Sequence, residues 1–319
     1  MAEGELRIGT RLDPGVPAYG DLRQATEVAE RLGYEAVWIR DHVSLADTTG
    51  QEECHEVWTV MTALAAQTAR IKVGSLVLCT PFRNPALLAK MGATLDHLSG
   101  GRLILGLGAG HKEAEFREYG YDFPRAGHRV QMLDEAAAIV RLMWTEHRPS
   151  FTGRFYRIDG ALNVPKPRQT PAPTIMIGGQ GPRMMRVIAR RADAWNIAGG
   201  PEEYLSLRDQ MAEACSEVGR DAATLRHIVS VPVIVDRSES RARERLERVC
   251  AARPGQPYLR DRIWAGSPRQ IADRIQPLLD AGVRELITSF WEMEAQAEQI
   301  ETFAETVWPI LAERVAARA

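Results

Sequence analysis

The segment Ile71–Gly110 gives the strongest indication of the fold, because it predicts a strand, a helix and a second strand in succession. Ile71–Leu78 is a nearly continuous apolar run rich in β-branched residues, which is typical of a parallel strand buried on both faces. Asn84 and Pro85 then supply a helix cap and a first helical residue. Arg102–Leu107 is the next buried strand. This pattern predicts an α/β protein with a parallel sheet.

The same alternation of strands and helices extends along the whole chain. Eight strands, each followed by a helix, predict a (β/α)₈ TIM barrel that occupies residues 1–319 as a single domain with insertions. An open doubly wound sheet is the alternative. His111 interrupts the glycine run after the fourth strand, so a dinucleotide-binding G-x-G-x-x-G motif is not present. Besides the two strands above, the predicted strands are Leu6–Leu12, Ala36–Arg40, Thr174–Ile177, Ala194–Ala198, Ile228–Val235 and Glu285–Phe290.

The predicted helices fill the intervals between these strands. A helix capped by Asp21 ends at Gly33, and the helix capped by Asn84 ends at Ser99–Gly101. The insertion Ser150–Pro173 contains a predicted hairpin, and it is expected to shape a pocket together with the loops Ser44–Glu53 and Arg253–Arg262. The other predicted helices are His55–Thr68, Glu113–Tyr119, Arg129–Glu146, Arg183–Arg191, Glu202–Val218, Glu239–Ala252, Pro268–Ala281 and Ala295–Val315.

Composition and charge exclude several classes of protein. The net charge is −2 and basic residues are dispersed, which argues against a nucleic-acid or anionic-membrane surface. No apolar run is long enough to cross a membrane, and no apolar segment follows the acidic first residues, so we expect a cytoplasmic protein without a signal peptide. The four cysteines lie far apart without a C-x-x-C pair, which argues against a zinc or dithiol site.

Polar residues at strand ends are the first candidates for chemistry in a parallel barrel. Asp41 and His42 follow the second strand, where the histidine could move a proton near neutral pH and a neighbouring carboxylate could set its tautomer. The alternative is a structural pair at the barrel rim. His111 follows the fourth strand and either contacts a ligand or caps a helix. Glu113 and Glu115 are interpreted as stabilising the start of the following helix.

Two glycine-rich loops are candidate binding elements. Small residues from Gly106 to Gly110 would let a flat or anionic ligand approach the backbone. Ile177–Pro182 combines a strand end, a glycine loop and a proline that opens a helix, which is typical of a phosphate cradle; a tight turn without a ligand is the alternative. The acidic residues and histidines show no metal-ligand spacing, and no nucleophile elbow is present, so we expect no metal site.

Taken together, seven segments resemble the luciferase-like monooxygenase superfamily, whose members are (β/α)₈ barrels that use reduced flavin or a deazaflavin. The Asp-His pair after the second strand and the Gly-Gly-x-Gly loop after the fifth are most similar to the branch that uses the deazaflavin coenzyme F420. The segments are Trp38–His42, Trp58–Thr68, Phe82–Pro85, Ser99–Gly110, Tyr119–Pro124, Ile177–Gly179 and Ala192–Asn196.

The resemblance implies roles for individual residues. His42 would lie near the deazaflavin ring as proton donor or acceptor, with His111 as a second catalytic candidate. Asp41 would bind the pyrimidine edge of the ring, and Leu76–Val77 would form a non-prolyl cis peptide behind it. The two glycine loops would hold the ribityl-phosphate tail. The full cofactor-binding set implied is Asp41, His42, Leu76, Val77, Ala109, Gly110, Ile177, Gly178, Gly179 and Gly181.

The activity implied is hydride transfer between reduced F420 and a small organic substrate with a C=C, C=N or C=O group. The alternative is an oxygen-using monooxygenase that takes reduced FMN from a separate reductase. A sugar-phosphate dehydrogenase of the branch has a glutamate where this chain has His111, so that substrate is not carried over. A non-catalytic flavin-binding barrel and a metal-dependent hydrolase are further alternatives. The resemblance also implies a homodimer.

Overall fold

A computed structural model of the protein describes residues 5–16, 18–45, 53–253 and 255–317, without the side chain of residue 293. Within these residues, eight parallel strands form a closed barrel. The first strand pairs with the second through Thr10 and Val37, and with the last through Arg11 and Ser289, which closes the ring. The predicted TIM barrel is confirmed and an open sheet is excluded. Most of the predicted loop Ser44–Glu53, residues 46–52, lies outside the described residues.

The strands follow the predicted order, and the barrel strands lie within two residues of the predicted ends, except that the third is interrupted. Two short strands form the predicted hairpin of the insertion, and one unpredicted strand pairs with the end of the seventh barrel strand. The bounds are β1 Arg7–Leu12, β2 Ala36–Ile39, β3 Lys72–Ser75, β4 Leu78–Cys79, β5 Leu103–Gly108, β6 Phe151–Thr152, β7 Arg157–Ile158, β8 Thr174–Gly178, β9 Ala194–Ala198, β10 Arg226–Val235, β11 Trp264–Gly266 and β12 Glu285–Phe290.

The helices differ from the prediction in three places. Asp21 does not cap the first helix, which begins earlier, at Tyr19. The last predicted helix is two helices, because Pro309 cannot donate a backbone hydrogen bond and opens a new one. A short helix, α9, was not predicted. The bounds are α1 Tyr19–Arg31, α2 Val57–Gln67, α3 Pro85–Leu98, α4 Glu113–Glu118, α5 Ala126–Thr145, α6 Pro182–Arg191, α7 Pro201–Glu217, α8 Glu239–Ala251, α9 Leu259–Arg262, α10 Pro268–Asp280, α11 Gln296–Thr306 and α12 Trp308–Ala316.

The indole of Trp38 fills the middle of the barrel. A Cβ added to Gly9 would lie 2.6 Å from Nε1 of Trp38, and one added to Gly74 would lie 2.5 Å from its six-membered ring. Glycines on the strands either side of β2 therefore make room for this ring. Small and aliphatic side chains such as Ala194 and Ile287 pack around it. This packing forms the floor beneath the open, carboxyl-terminal end of the barrel.

The third barrel strand contains an extra residue. Gly74 pairs with Ile104 and Leu78 pairs with Leu107, so four steps along β3 and β4 match three along β5. One additional residue on one strand is a β-bulge, a feature common beside active sites. The peptide between Leu76 and Val77 is cis, as the resemblance implied, and it interrupts the strand predicted over 71–78.

Ser75 and two glycines of β5 fit this bulge. The hydroxyl of Ser75 donates to the carbonyl of Gly106 at 2.8 Å and accepts from the amide of Gly106 at 3.1 Å. A Cβ on Gly106 would lie 1.9 Å from the carbonyl oxygen of Ser75, and one on Gly108 would lie 2.5 Å from Cγ2 of Val77. The expectation that small residues here admit a ligand is therefore wrong for Gly106, which does not line the cavity at the mouth of the barrel because the bulge occupies its space, whereas Gly108 does line that cavity.

Replacing Gly106 with alanine tests this packing. We expect Gly106→Ala to lower the free energy of unfolding by about 3 kcal/mol, the upper part of the usual cost of overpacking a core, because the new methyl group meets backbone. Gly20→Ala in α1 is the matched control, since nothing lies within 4 Å of its added Cβ. Chemical denaturation of both variants measures the difference; equal stabilities would contradict the account of the bulge.

Candidate active site

A cavity with two lobes opens at the carboxyl ends of the barrel strands, where parallel barrels bind ligands. The lobe of about 470 Å³, lined by His42 and His111, is called the histidine lobe. The lobe of about 560 Å³, lined by Arg11, Arg262 and Arg274, is called the arginine lobe. Residues shared by both lobes are Arg40, Leu76, Val77, Gly178, Gly179, Tyr258 and Trp291.

His42 is held by a buried carboxylate. It follows β2, and its Nδ1 lies 2.6 Å from Oε1 of Glu115, which comes from α4 on the other side of the lobe. Nζ of Lys112 lies 3.4 Å from the same oxygen. An ionised carboxylate only accepts hydrogen bonds, so Nδ1 carries the proton and Nε2 is the other nitrogen available for proton exchange. Glu115 lies in the first turn of α4, as predicted, but its side chain also turns inward to the histidine, which was not predicted.

Asp41 points away from its neighbour in sequence. Its Oδ2 accepts from the amide of Cys79 at 2.8 Å and from Arg83 at 2.5 Å, and its Oδ1 accepts from Arg83 at 3.1 Å. Such a two-pronged contact is a strong, directional pairing. The carboxylate therefore ties the end of β2 to the strand that follows the bulge. Asp41 lines the histidine lobe, and its contact with a coenzyme ring stays a prediction.

His111 stands at the rim of the histidine lobe, with its ring centroid 6.1 Å from that of His42. Partial burial, and then the neighbouring His42 and Lys112, lower the pKa of His111 below its usual value. The imidazole is therefore mostly neutral at pH 7. Its alternative role as a helix cap is not supported, because α4 has Lys112 as its N-cap residue and no side-chain cap.

The second glycine loop has the form of an anion cradle. Gly179 and Gly181 have φ angles of 145° and 90°, and the loop leads from β8 into Pro182, the first residue of α6. No side chain caps the amino end of α6 within the described structure, so its amide groups keep their donor capacity. Nε1 of Trp195 donates to the carbonyl of Gly179 at 2.9 Å and fixes the loop.

Only some of the cofactor-binding residues implied by the resemblance line the cavity. Ala109 and Gly110 line the histidine lobe, and Gly178 and Gly179 line both lobes. The side chain of Ile177 is fully buried in the main core and does not line the cavity. Gly181 lines neither lobe, and it belongs to the anion cradle because it is the residue that precedes α6. The predicted loop Arg253–Arg262, which follows α8, contributes to both lobes as expected. The expectation for Ser150–Pro173 is wrong, because neither lobe is lined by those residues.

Sequence reasoning missed several cavity residues. Glu115 is separated from His42 by 73 positions, so no local pattern relates them. Arg11 lies at the carboxyl end of β1. The expectation that polar residues at strand ends carry chemistry, which selected Asp41 and His42 after β2, also applied to Arg11. Trp291 follows β12 in the same way. In the part of the chain that the structure describes, no cluster of three acidic, histidine or cysteine residues could hold a metal, and no helix could span a membrane.

Comparison with known proteins gives a family match and relatives of several kinds. The family model for luciferase-like monooxygenases matches residues 5–288. An F420-dependent glucose-6-phosphate dehydrogenase of Amycolatopsis mediterranei is 27% identical, with 88% of this chain and 92% of the relative covered. An FMNH₂-dependent dimethylsulfone monooxygenase of Pseudomonas putida is 28% identical, with coverage of 91% and 87%.

Solved structures share the fold at low sequence identity. An F420-dependent secondary alcohol dehydrogenase in complex with an F420–acetone adduct superposes with a TM-score of 0.82 at 20% identity, covering 96% of this chain and 99% of that one. The long-chain alkane monooxygenase LadA gives 0.81 at 16% identity, covering 98% and 92%. Since the family model covers most of the residues, the chain is an enzyme that belongs to the luciferase-like monooxygenase family.

Proposed function

We propose that this enzyme transfers a hydride between reduced coenzyme F420 and a small organic substrate with a C=C, C=N or C=O group. His42 acts as proton donor or acceptor. The observation that carries the proposal is the buried pair of His42 and Glu115 beside the Leu76–Val77 bulge. Hydride transfer to such a group needs a matching proton, and a histidine with a fixed tautomer supplies one near neutral pH.

The residues present fit a tricyclic ring with a phosphate-bearing tail. Leu76 and Val77 give the cavity an apolar wall shared by both lobes. The glycines at 178, 179 and 181 and the uncapped start of α6 offer backbone amides to a phosphate. Either lobe alone has a volume in the range of about 300–1,000 Å³ that ligand pockets usually have. We infer that the bulge supports the ring and that the glycine loop holds the phosphate.

The chain's own contribution is orientation and proton transfer. A bound deazaflavin supplies the hydride. Glu115 accepts a hydrogen bond from Nδ1 of His42, so Nε2 takes or gives the proton and the carboxylate stabilises the imidazolium form. Asp41 keeps the strand after the bulge in place through Cys79 and Arg83. In this proposal His111 remains neutral and contacts the substrate.

Use of reduced FMN with oxygen is the alternative. A relative of this kind is as similar to the chain as the F420-dependent one, so family membership does not decide between them. Two features favour F420: Asp41–His42 after β2, and the glycine loop, in which Gln180 replaces the serine expected for FMN phosphate. The FMN alternative takes its reduced flavin from a separate reductase. The homodimer implied by the resemblance stays a prediction.

Direct binding of the two coenzymes tests the proposal. We expect oxidised F420 to bind the purified apoprotein at micromolar concentration or below, and FMN to bind much more weakly. Fluorescence titration of both ligands in parallel measures this preference. Oxygen uptake with reduced FMN, recorded on the same preparation, is the companion measurement. Tight FMN binding with weak F420 binding would contradict the proposal and favour the monooxygenase alternative.

The proton-transfer pair gives a second prediction. We expect His42→Asn to lower kcat by about 10²-fold or more, because the proton donor is lost. Glu115→Gln should lower kcat by about 10–100-fold, because a neutral amide orients the imidazole less well and does not stabilise its charge. Both variants should bind the coenzyme within about threefold of the parent. Single-turnover oxidation of reduced coenzyme, with a substrate found by screening, measures these rates.

Glu113→Gln is the matched control for this pair. Glu113 lies on the same helix and accepts a hydrogen bond from Arg117 at 2.7 Å on the surface. We expect its kcat to stay within about twofold of the parent, because a surface ion pair within one helix contributes little. If Glu113→Gln and Glu115→Gln had equal rates, the orienting role of Glu115 would be refuted.

A further inference from the structure

The arginine lobe contains a group of hydrogen-bond donors without acceptors. Among the described residues, Nε and Nη2 of Arg11, Nε of Arg40 and Nε1 of Trp291 are buried and have no hydrogen-bond partner. All three side chains line this lobe. Buried polar groups in native proteins are nearly always paired, so a cluster of orphaned donors indicates a missing acceptor.

The charges at this position are unbalanced. The carboxylate of Asp13 accepts from Arg40 at 2.5 Å and from the amide of Gly15 at 3.2 Å, and it also attracts the charge of Arg11, so one carboxylate faces two guanidinium groups. The guanidinium of Arg11 lies 4.9 Å from the ring centroid of Trp291, and that of Arg253 lies 6.0 Å from it. Burial, and then the charge of Arg40, lower the pKa of Arg11 to about 9, so it is still a cation at neutral pH.

The strand order separates this cluster from the glycine loop. Arg11 is on the first strand of the ring and the glycine loop follows β8, the fifth strand. In a closed ring of eight strands the first and fifth lie opposite each other. The amino end of α6, where the glycine loop would place a phosphate, is therefore across the barrel mouth from Arg11, although Gly178 and Gly179 also line the arginine lobe. Trp291 directly follows the eighth barrel strand, a place where barrels often bind anionic groups, and Arg253 lies after α8 in the connection between the seventh and eighth strands.

We propose that Arg11, Arg40 and Trp291 bind an oxyanion, a carboxylate or phosphate carried by the substrate, and so select for anionic substrates. This inference rests on the proposed function, because the coenzyme is taken to occupy the bulge and the glycine loop. A planar guanidinium presents several donors in a geometry that matches an oxyanion. The anionic group fixes one end of the substrate in the arginine lobe, and the reacting carbon lies towards His42 in the histidine lobe.

Anion binding by Arg11→Met tests the inference. The probes are inorganic phosphate and acetate, titrated by calorimetry and by tryptophan fluorescence, with and without saturating oxidised coenzyme. We expect at least one probe to bind the parent protein, and Arg11→Met to weaken that binding about tenfold or more, as loss of a charge-assisted hydrogen bond does. The probe that binds more tightly distinguishes a phosphate from a carboxylate substrate.

Arg154→Met is the matched control. Arg154 also lies over an aromatic ring, that of Phe155 at 5.3 Å, but it does not line either lobe. We expect it to bind the probe like the parent. We also expect Arg11→Met to have an unchanged or higher unfolding temperature, because it removes a buried charge and keeps an apolar side chain over Trp291. If Arg11→Met does not fold, Arg11→Lys should show the weakened binding, because lysine keeps the charge but loses the planar set of donors of the guanidinium.

Three results would overturn the inference. The first is that neither probe binds the parent protein, and the second is that the parent and the Arg11 variants bind the probes equally. The third is that Arg11→Met lowers the unfolding temperature and leaves probe binding unchanged. Displacement of the probe by the coenzyme would assign the cluster to the coenzyme and leave the proposed function intact. Arg11-dependent binding of a probe by a protein that binds neither F420 nor FMN would support the oxyanion site and overturn only the proposed function.

Discussion

The bulge in the third barrel strand is the packing constraint on which the mouth of the barrel depends. Because one extra residue is inserted at Ser75–Val77, β5 needs glycines where it passes the bulge. The side chains of Leu76 and Val77 consequently face the cavity as a wall common to both lobes. Asp41 secures the strand beyond the bulge through the amide of Cys79 and the side chain of Arg83.

The two lobes differ in how their charges are paired. In the histidine lobe, Glu115 contacts both His42 and Lys112, so its carboxylate is matched by donors of the chain itself. In the arginine lobe, donors of Arg11 and Trp291 lack acceptors among the described residues. A paired, oriented histidine is suited to moving a proton, and an excess of buried donors is suited to holding an anion. We therefore assign proton transfer to the histidine lobe and recognition of the substrate to the arginine lobe.

The sequence predicted the barrel well and the cavity only in part, for physical reasons. Strand periodicity and glycine caps are local, so the ends of strands such as 194–198 and 285–290 are predicted without error. The contact between His42 and Glu115 is set by packing across the barrel, and local patterns do not contain it. β11 is only three residues long and gives no periodic signal. Gly106 was expected to admit a ligand, but its small size is required by the backbone of Ser75 and it lines neither lobe.

A crystal structure of the complex with oxidised F420 would show whether the coenzyme ring lies against the bulge. The account predicts electron density for the ring against the Leu76–Val77 peptide and for the phosphate at the glycine loop before Pro182. It also predicts Nε2 of His42 directed at the face of the ring that the substrate approaches, with Nδ1 still bonded to Glu115. A ring bound elsewhere in the barrel mouth, or a His42 that has left Glu115, would contradict the account.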